Sequence, residues 1–63
     1  MPVITLEVGK VSKEQKEKLV KELVSKASEI LRIPEQAFVT LIKENDFDNI
    51  GNGTELLSAK FSK

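Results

Sequence analysis

Two stretches of this chain alternate side chains with a period of two, and the stretch between them repeats its apolar positions at helical spacing. In Val3-Ile4-Thr5-Leu6-Glu7-Val8, Ile4, Leu6 and Val8 share one face, and Val3, Thr5 and Glu7 share the other, as in a β-strand. Gly9 breaks this run. Ser12 followed by Gln15 has the form of a capping box and predicts a helix start. Leu19, Val20, Leu23, Val24, Ala27, Ile30 and Leu31 then form one broad apolar stripe. Glu22 and Lys26 stand four apart in the favourable order. Pro34 is expected to end the helix and to hold Ile33 extended. A second strand is predicted from about Phe38 to Glu44, where Phe38, Thr40 and Ile42 alternate with Val39, Leu41 and Lys43. Asn45 to Asn49 reads as a turn-rich loop, and Gly51-Asn52-Gly53 as a tight turn with positive φ. Thr54 to Phe61 reads as a short tail, either a hairpin strand or a helical turn.

The predicted order is β-α-β with a tail, in one domain spanning residues 1–63. A helix between two strands implies a right-handed crossover and parallel strands. The fold class is therefore α/β (α+β). One helix covers only one face of a two-stranded sheet, so the other face and both edges stay open. Parallel sheets are normally buried on both faces, and open edges invite pairing. The protomer is expected to assemble into a homo-oligomer, with any pocket lying between chains.

Composition narrows the chemistry. At 63 residues the chain buries only ~60 % of its unfolded surface on folding, so it needs a disulfide, a metal or a partner chain. It has no cysteine and no histidine, which excludes disulfides, thiolate metal sites, imidazole bases and Ser-His nucleophiles. Ten Lys and Arg balance ten Asp and Glu, so no basic excess points to nucleic acid. No run is long and apolar enough for a membrane span or signal peptide. The expectation is a cytoplasmic protein without nucleic-acid or membrane partners. The spacing of Glu44, Asp46, Asp48 and Glu55 loosely suggests a calcium loop. However, Asn49 stands where such a loop needs glycine, and a strand precedes it, so a solvated acidic turn is the reading taken.

Pro2 directly follows Met1 and directly precedes the first strand. Methionine ahead of proline is usually removed, which would leave a secondary amine on a rigid ring. An α-amino group ordinarily titrates near pH ~8, and apolar surroundings lower that value by disfavouring the ammonium form. The product would be a general base poised near neutrality. The plainer alternative is that Pro2 only opens an edge strand, where its missing N–H costs nothing.

Met1-Pro2-Val3-Ile4, Ser12-Lys13-Glu14-Gln15-Lys16, Ile42-Lys43-Glu44 and Ile50-Gly51-Asn52-Gly53-Thr54-Glu55-Leu56 occur in this order along nearly the whole chain. Together they resemble the short-chain 4-oxalocrotonate tautomerase family. The resemblance implies a β-α-β fold with a short C-terminal hairpin, assembled as a hexamer. It implies proton transfer with no cofactor and no metal on a small carboxylate substrate, a 2-hydroxydienoate or 2-oxo acid. Pro2 matches the family's base. Lys10 lies close to its first arginine, and Ile50 takes an aromatic wall position. Lys43, at the end of the second strand, is a further candidate for substrate binding.

The departures are equally specific. The family's second arginine falls on Val39, Val11 precedes Ser12, and Thr54 replaces a glycine. Lysine lacks arginine's bidentate grip on a carboxylate. Two function classes follow: a tautomerase, or a non-catalytic oligomeric binding or scaffold protein that retains the assembly.

Overall fold

The computed structural model describes residues 1–61. Strand β1 (Val3–Val8) leads into helix α1 (Lys13–Leu31), a 3-10 turn at Glu35–Ala37 and strand β2 (Val39–Glu44). A second 3-10 turn at Phe47–Asn49 precedes the hairpin strands β3 (Gly51–Asn52) and β4 (Glu55–Leu56), and the short helix α2 (Leu57–Phe61) follows. The tail is thus both of the forms expected, a hairpin strand and then a helical turn.

β1 and β2 are parallel, in register from Val3 opposite Val39 to Val8 opposite Glu44. The ladder extends one rung at each end. Val39 N–H donates to Pro2 O at 3.0 Å, and Asn45 N–H donates to Val8 O at 2.7 Å. The period-two pattern survives in the burial. Ile4, Leu6, Val8, Thr40 and Ile42 are half-buried, whereas Val3, Thr5, Glu7, Val39, Leu41 and Lys43 are exposed on the opposite face.

The helix begins as its sequence dictates. Ser12 Oγ accepts from Gln15 N–H at 3.1 Å, and Gln15 Oε1 accepts from Ser12 N–H at 2.9 Å. Both reciprocal bonds of a capping box satisfy donors that a helix start otherwise leaves open. Its other end differs from expectation. Pro34 does not end the helix directly, because α1 stops at Leu31 and Arg32 takes a left-handed conformation at φ 58°. Arg32 N–H still bonds Ser28 O at 2.8 Å, and Ser28 Oγ donates to Ile33 O. An arginine thus fills a cap position that usually goes to glycine.

The hairpin turns at Gly53, φ 65°, with Gly51 opposite Leu56 and Asn52 opposite Glu55. Leu57 N–H to Ile50 O (2.8 Å) and the Phe47 and Phe61 rings, 5.5 Å apart, fasten α2 to the preceding turn.

Among the described residues no side chain is buried, and none forms a core. The protomer exposes 5214 Å², against roughly 4,000 Å² for a folded monomer of its mass. Its radius of gyration is 15.1 Å, against about 11 Å for a compact domain of this length. The exposed apolar residues include one set on the sheet, one on the helix and a third, Phe47, Leu56 and Phe61, around the hairpin and α2. Val3, Val39 and Leu41 lie on the open sheet face; Leu23, Ile30 and Leu31 lie along α1.

Two outcomes follow from this architecture. Sedimentation equilibrium at micromolar concentration should find an oligomer, and a stable folded monomer would contradict the packing argument. Ser12→Ala should destabilise the protein by about 1 kcal/mol per protomer in a denaturant melt, the usual worth of an N-cap side chain.

Candidate active site

Parallel pairing divides the candidate residues between the two ends of the sheet. Pro2 sits at the lower end, half-buried, with its carbonyl oxygen fixed by Val39 N–H. Val39 stands where the resemblance leads one to look for an arginine. Val39 is the register partner of Val3, and its side chain lies exposed on the open sheet face.

Lys10, Lys43 and Ile50 belong to the upper end. Val8, the last residue of β1, lies six residues and about 20 Å beyond Pro2, and Lys10 follows it. Within one protomer Lys10 and Ile50 lie at the opposite end of the sheet from Pro2, and the expected pocket is one between chains. The physical reason is the straight run of β1. A site containing all three needs a second copy of the chain.

The upper end is organised by charge. Glu44, the last residue of β2, accepts Lys16 Nζ on Oε1 at 3.0 Å and Val11 N–H on Oε2 at 3.2 Å. These contacts clip the β1–α1 loop, which carries Lys10, onto the end of β2. They hold the Glu44 carboxyl below its ordinary range, chiefly through the Lys16 hydrogen bond and next through the Val11 N–H. Lys10 Nζ lies 3.3 Å from Asp46 Oδ1, with both side chains largely in solvent. Exposed pairs of this kind contribute little, so a competing carboxylate can displace Asp46. A shallow cleft of about 460 Å³ opens here, lined by Lys10, Asn45, Asp46, Phe47, Asp48 and Ser58.

Ile50 is half-buried at the base of the hairpin. It lines an adjoining cleft with Gly9, Asn45, Phe47 and Leu57. A Cβ at Gly9 would stand 3.3 Å from Phe47 Cε1, so glycine lets the ring sit this close without a small shift. Lys43 lies on the open sheet face beside Glu7, its register partner on β1.

The sequence reading missed Glu44, Asp46 and Phe47. The signal for Glu44 was the parallel register itself, which brings the end of β2 beside the loop that follows β1. The spacing of Asp46 with Glu44, Asp48 and Glu55 was visible but was read as a solvated acidic turn, and Phe47 gave no local signal. Among the described residues, no three acidic side chains converge as a metal site would require, and no helix is long and apolar enough to cross a membrane.

The model of the tautomerase enzyme family matches residues 2–60, and the chain belongs to that family. The fold superposes on an apo unfused 4-OT with a TM-score of 0.86 and 30 % identity, covering 94 % of this chain and 98 % of the other. A DmpI from Archaeoglobus fulgidus gives a TM-score of 0.83 at 32 % identity, covering 90 % and 98 % of the two chains. YwhB, a homologue of 4-oxalocrotonate tautomerase, gives 0.84 at 26 %, covering 90 % and 95 %. Comparison with curated protein sequences finds no match.

The Glu44 clip makes a pH prediction. Because the folded carboxyl is held below its unfolded value, its stabilisation is present above the ordinary glutamate range near pH ~4.3 and is lost as pH falls through the lower folded value. Glu44→Gln should therefore be less stable than wild type at pH 7. The gap between the two should close in melts run progressively below pH 4.

Proposed function

We propose that this chain is a cofactor-independent tautomerase whose base is the amine of Pro2 after removal of Met1. The observation that carries the reading is the position of Pro2 in a tautomerase-family chain. It is half-buried at the foot of the parallel ladder, directly ahead of the apolar Val3 and Ile4. Such surroundings disfavour the charged ammonium and favour a free base near neutral pH.

The proposed substrate is a small 2-hydroxydienoate or 2-oxo acid. With a 2-hydroxydienoate, the Pro2 nitrogen lone pair takes the hydroxyl proton. The O–H electrons become the carbonyl π bond. The conjugated π electrons then take the proton back from the Pro2 ammonium at a carbon of the former diene. Proton and electron counts balance, and the enzyme returns to its starting state. Negative charge gathers at the carboxylate and the nascent carbonyl, where a cation strengthens its contacts as the transition state forms.

Because Lys10 and Ile50 lie at the far end of their own sheet, the proposed site joins Pro2 of one copy to Lys10 and Ile50 of another within a homo-hexamer. Lys10 would exchange Asp46 for the substrate carboxylate, and Ile50 would exclude water beside Pro2. Lys43, exposed near the same end of the sheet as Lys10, is a further candidate cation for the substrate carboxylate. A second reading, a non-catalytic binding or scaffold oligomer, draws on the Lys10–Asp46 pair and on Val39, which leave the protomer without an arginine grip for a carboxylate.

The test uses chain whose Met1 removal is established by intact mass, assayed on simple enols such as enol-phenylpyruvate. Pro2→Ala should lower kcat/KM by about 10²–10⁴-fold, the usual contribution of a positioned general base, and should alter the ascending limb of the pH–rate profile. Lys10→Ala should lower kcat/KM by the loss of a charge-assisted contact, worth roughly 1.5–3 kcal/mol. Full activity and an unchanged profile in Pro2→Ala would overturn the assignment of the base. An inactive processed wild type would favour the scaffold reading.

A further inference from the structure

The cleft at the upper end of the sheet holds one cation and two acids. Lys10, Asp46 and Asp48 all line it. Lys10 pairs with Asp46 at 3.3 Å, and the two side chains are 81 % and 54 % exposed. Asp48 is exposed and, among the described residues, has no ion-pair partner. The cations nearby also have acids beside them. Lys16 is held by Glu44 at 3.0 Å, and Lys43 stands on the open sheet face with Glu7 as its register partner. Each of these three lysines therefore has an acid for a neighbour, and Asp48 is left over. At the other end of the ladder the side chains of Pro2, Val3 and Val39 carry no charge.

We propose that this charge balance makes the site selective for substrates with a single carboxylate, and that Asp46 and Asp48 are the residues that turn a second carboxylate away. The inference rests on the tautomerase reading above and names its substrate class, a 2-hydroxydienoate or 2-oxo acid whose remainder is uncharged. One carboxylate exchanges with Asp46 on Lys10, one anion for another at an exposed pair, and that exchange costs little. A second carboxylate meets no unpaired cation in the cleft. It faces Asp48 and the displaced Asp46 instead. A repulsive element of this kind excludes a ligand more effectively than a missing contact does. In water, a unit charge about 7 Å from another of the same sign weakens binding roughly threefold, so two acids weaken the hold on a second carboxylate about tenfold. Phe47, which also lines the cleft, offers an apolar surface to the uncharged remainder of the substrate.

The experiment compares a 2-hydroxydienoate bearing one carboxylate with the homologous 2-hydroxydienedioate bearing two. It uses chain freed of Met1, at low and fixed ionic strength. Wild type should favour the monoanion in kcat/KM by about tenfold, with the difference mainly in KM. Repulsion scales with ligand charge. Asp46→Asn and Asp48→Asn should therefore each raise kcat/KM for the dianion roughly threefold more than for the monoanion. The double variant should erase most of the preference. Added salt should shrink the preference of wild type and change that of the double variant little. Binding gives a second readout that needs no turnover. Titration with a 2-oxo monocarboxylate and a 2-oxo dicarboxylate, followed by NMR at Lys10 and Pro2, should give the same order of affinity. A wild type that accepts the dianion as readily as the monoanion overturns the proposal. So does a preference that the double variant leaves intact. An inactive wild type that still binds the monocarboxylate more tightly overturns the catalytic reading alone, whereas one that binds the two equally overturns both.

Discussion

The structure depends on one constraint: a two-stranded sheet under a single helix has no interior. The capping box, the parallel ladder and the hairpin each form from local signals, yet none of them encloses an apolar side chain. Hydrophobic burial is the main favourable term in folding, and here most of it is deferred to contacts with other copies. Stability of the chain is then inseparable from its concentration. The same deferral governs chemistry. Pro2 and the cation-bearing loop stand at opposite ends of the ladder, so the site proposed here is shared among copies by the same geometry that leaves the sheet open.

The features visible in the sequence are those with short range. Ser12 and Gln15 are three residues apart, and the bonds between them formed as their spacing demanded. The alternation in Val3–Val8 and Val39–Glu44 assigned each side chain to its face. Gly53 marked a positive φ that few other residues adopt. The parallel pairing followed from handedness and from the length of the intervening helix.

What the sequence did not reveal depends on contacts between distant positions or on substitution of an unusual residue. Glu44 and Lys16 are 28 positions apart and meet only once the register is known. Phe47 meets Gly9 and Phe61 through a loop whose path has no periodic signal. Arg32 carries nothing in its side chain that announces a left-handed backbone, so the helix end was credited to Pro34. The division of Pro2 from Lys10 and Ile50 was foreshadowed by the open sheet, but the separation came only with the straight strand between them.

The first rung of the ladder accepts at the carbonyl of Pro2, so the nitrogen of that residue stands outside the hydrogen-bonded framework. Met1 is attached at a point the fold does not use. A copy that keeps it has the same rungs, the same helix and the same surfaces, but its proline nitrogen is an amide without a basic lone pair. Under the proposed chemistry, structural integrity and chemical competence are set by different events, folding in one case and a single proteolytic cut in the other. Incompletely trimmed chains would co-assemble with trimmed ones into mosaic particles. In these particles the count of working centres would follow the efficiency of an aminopeptidase rather than the quantity of protein made.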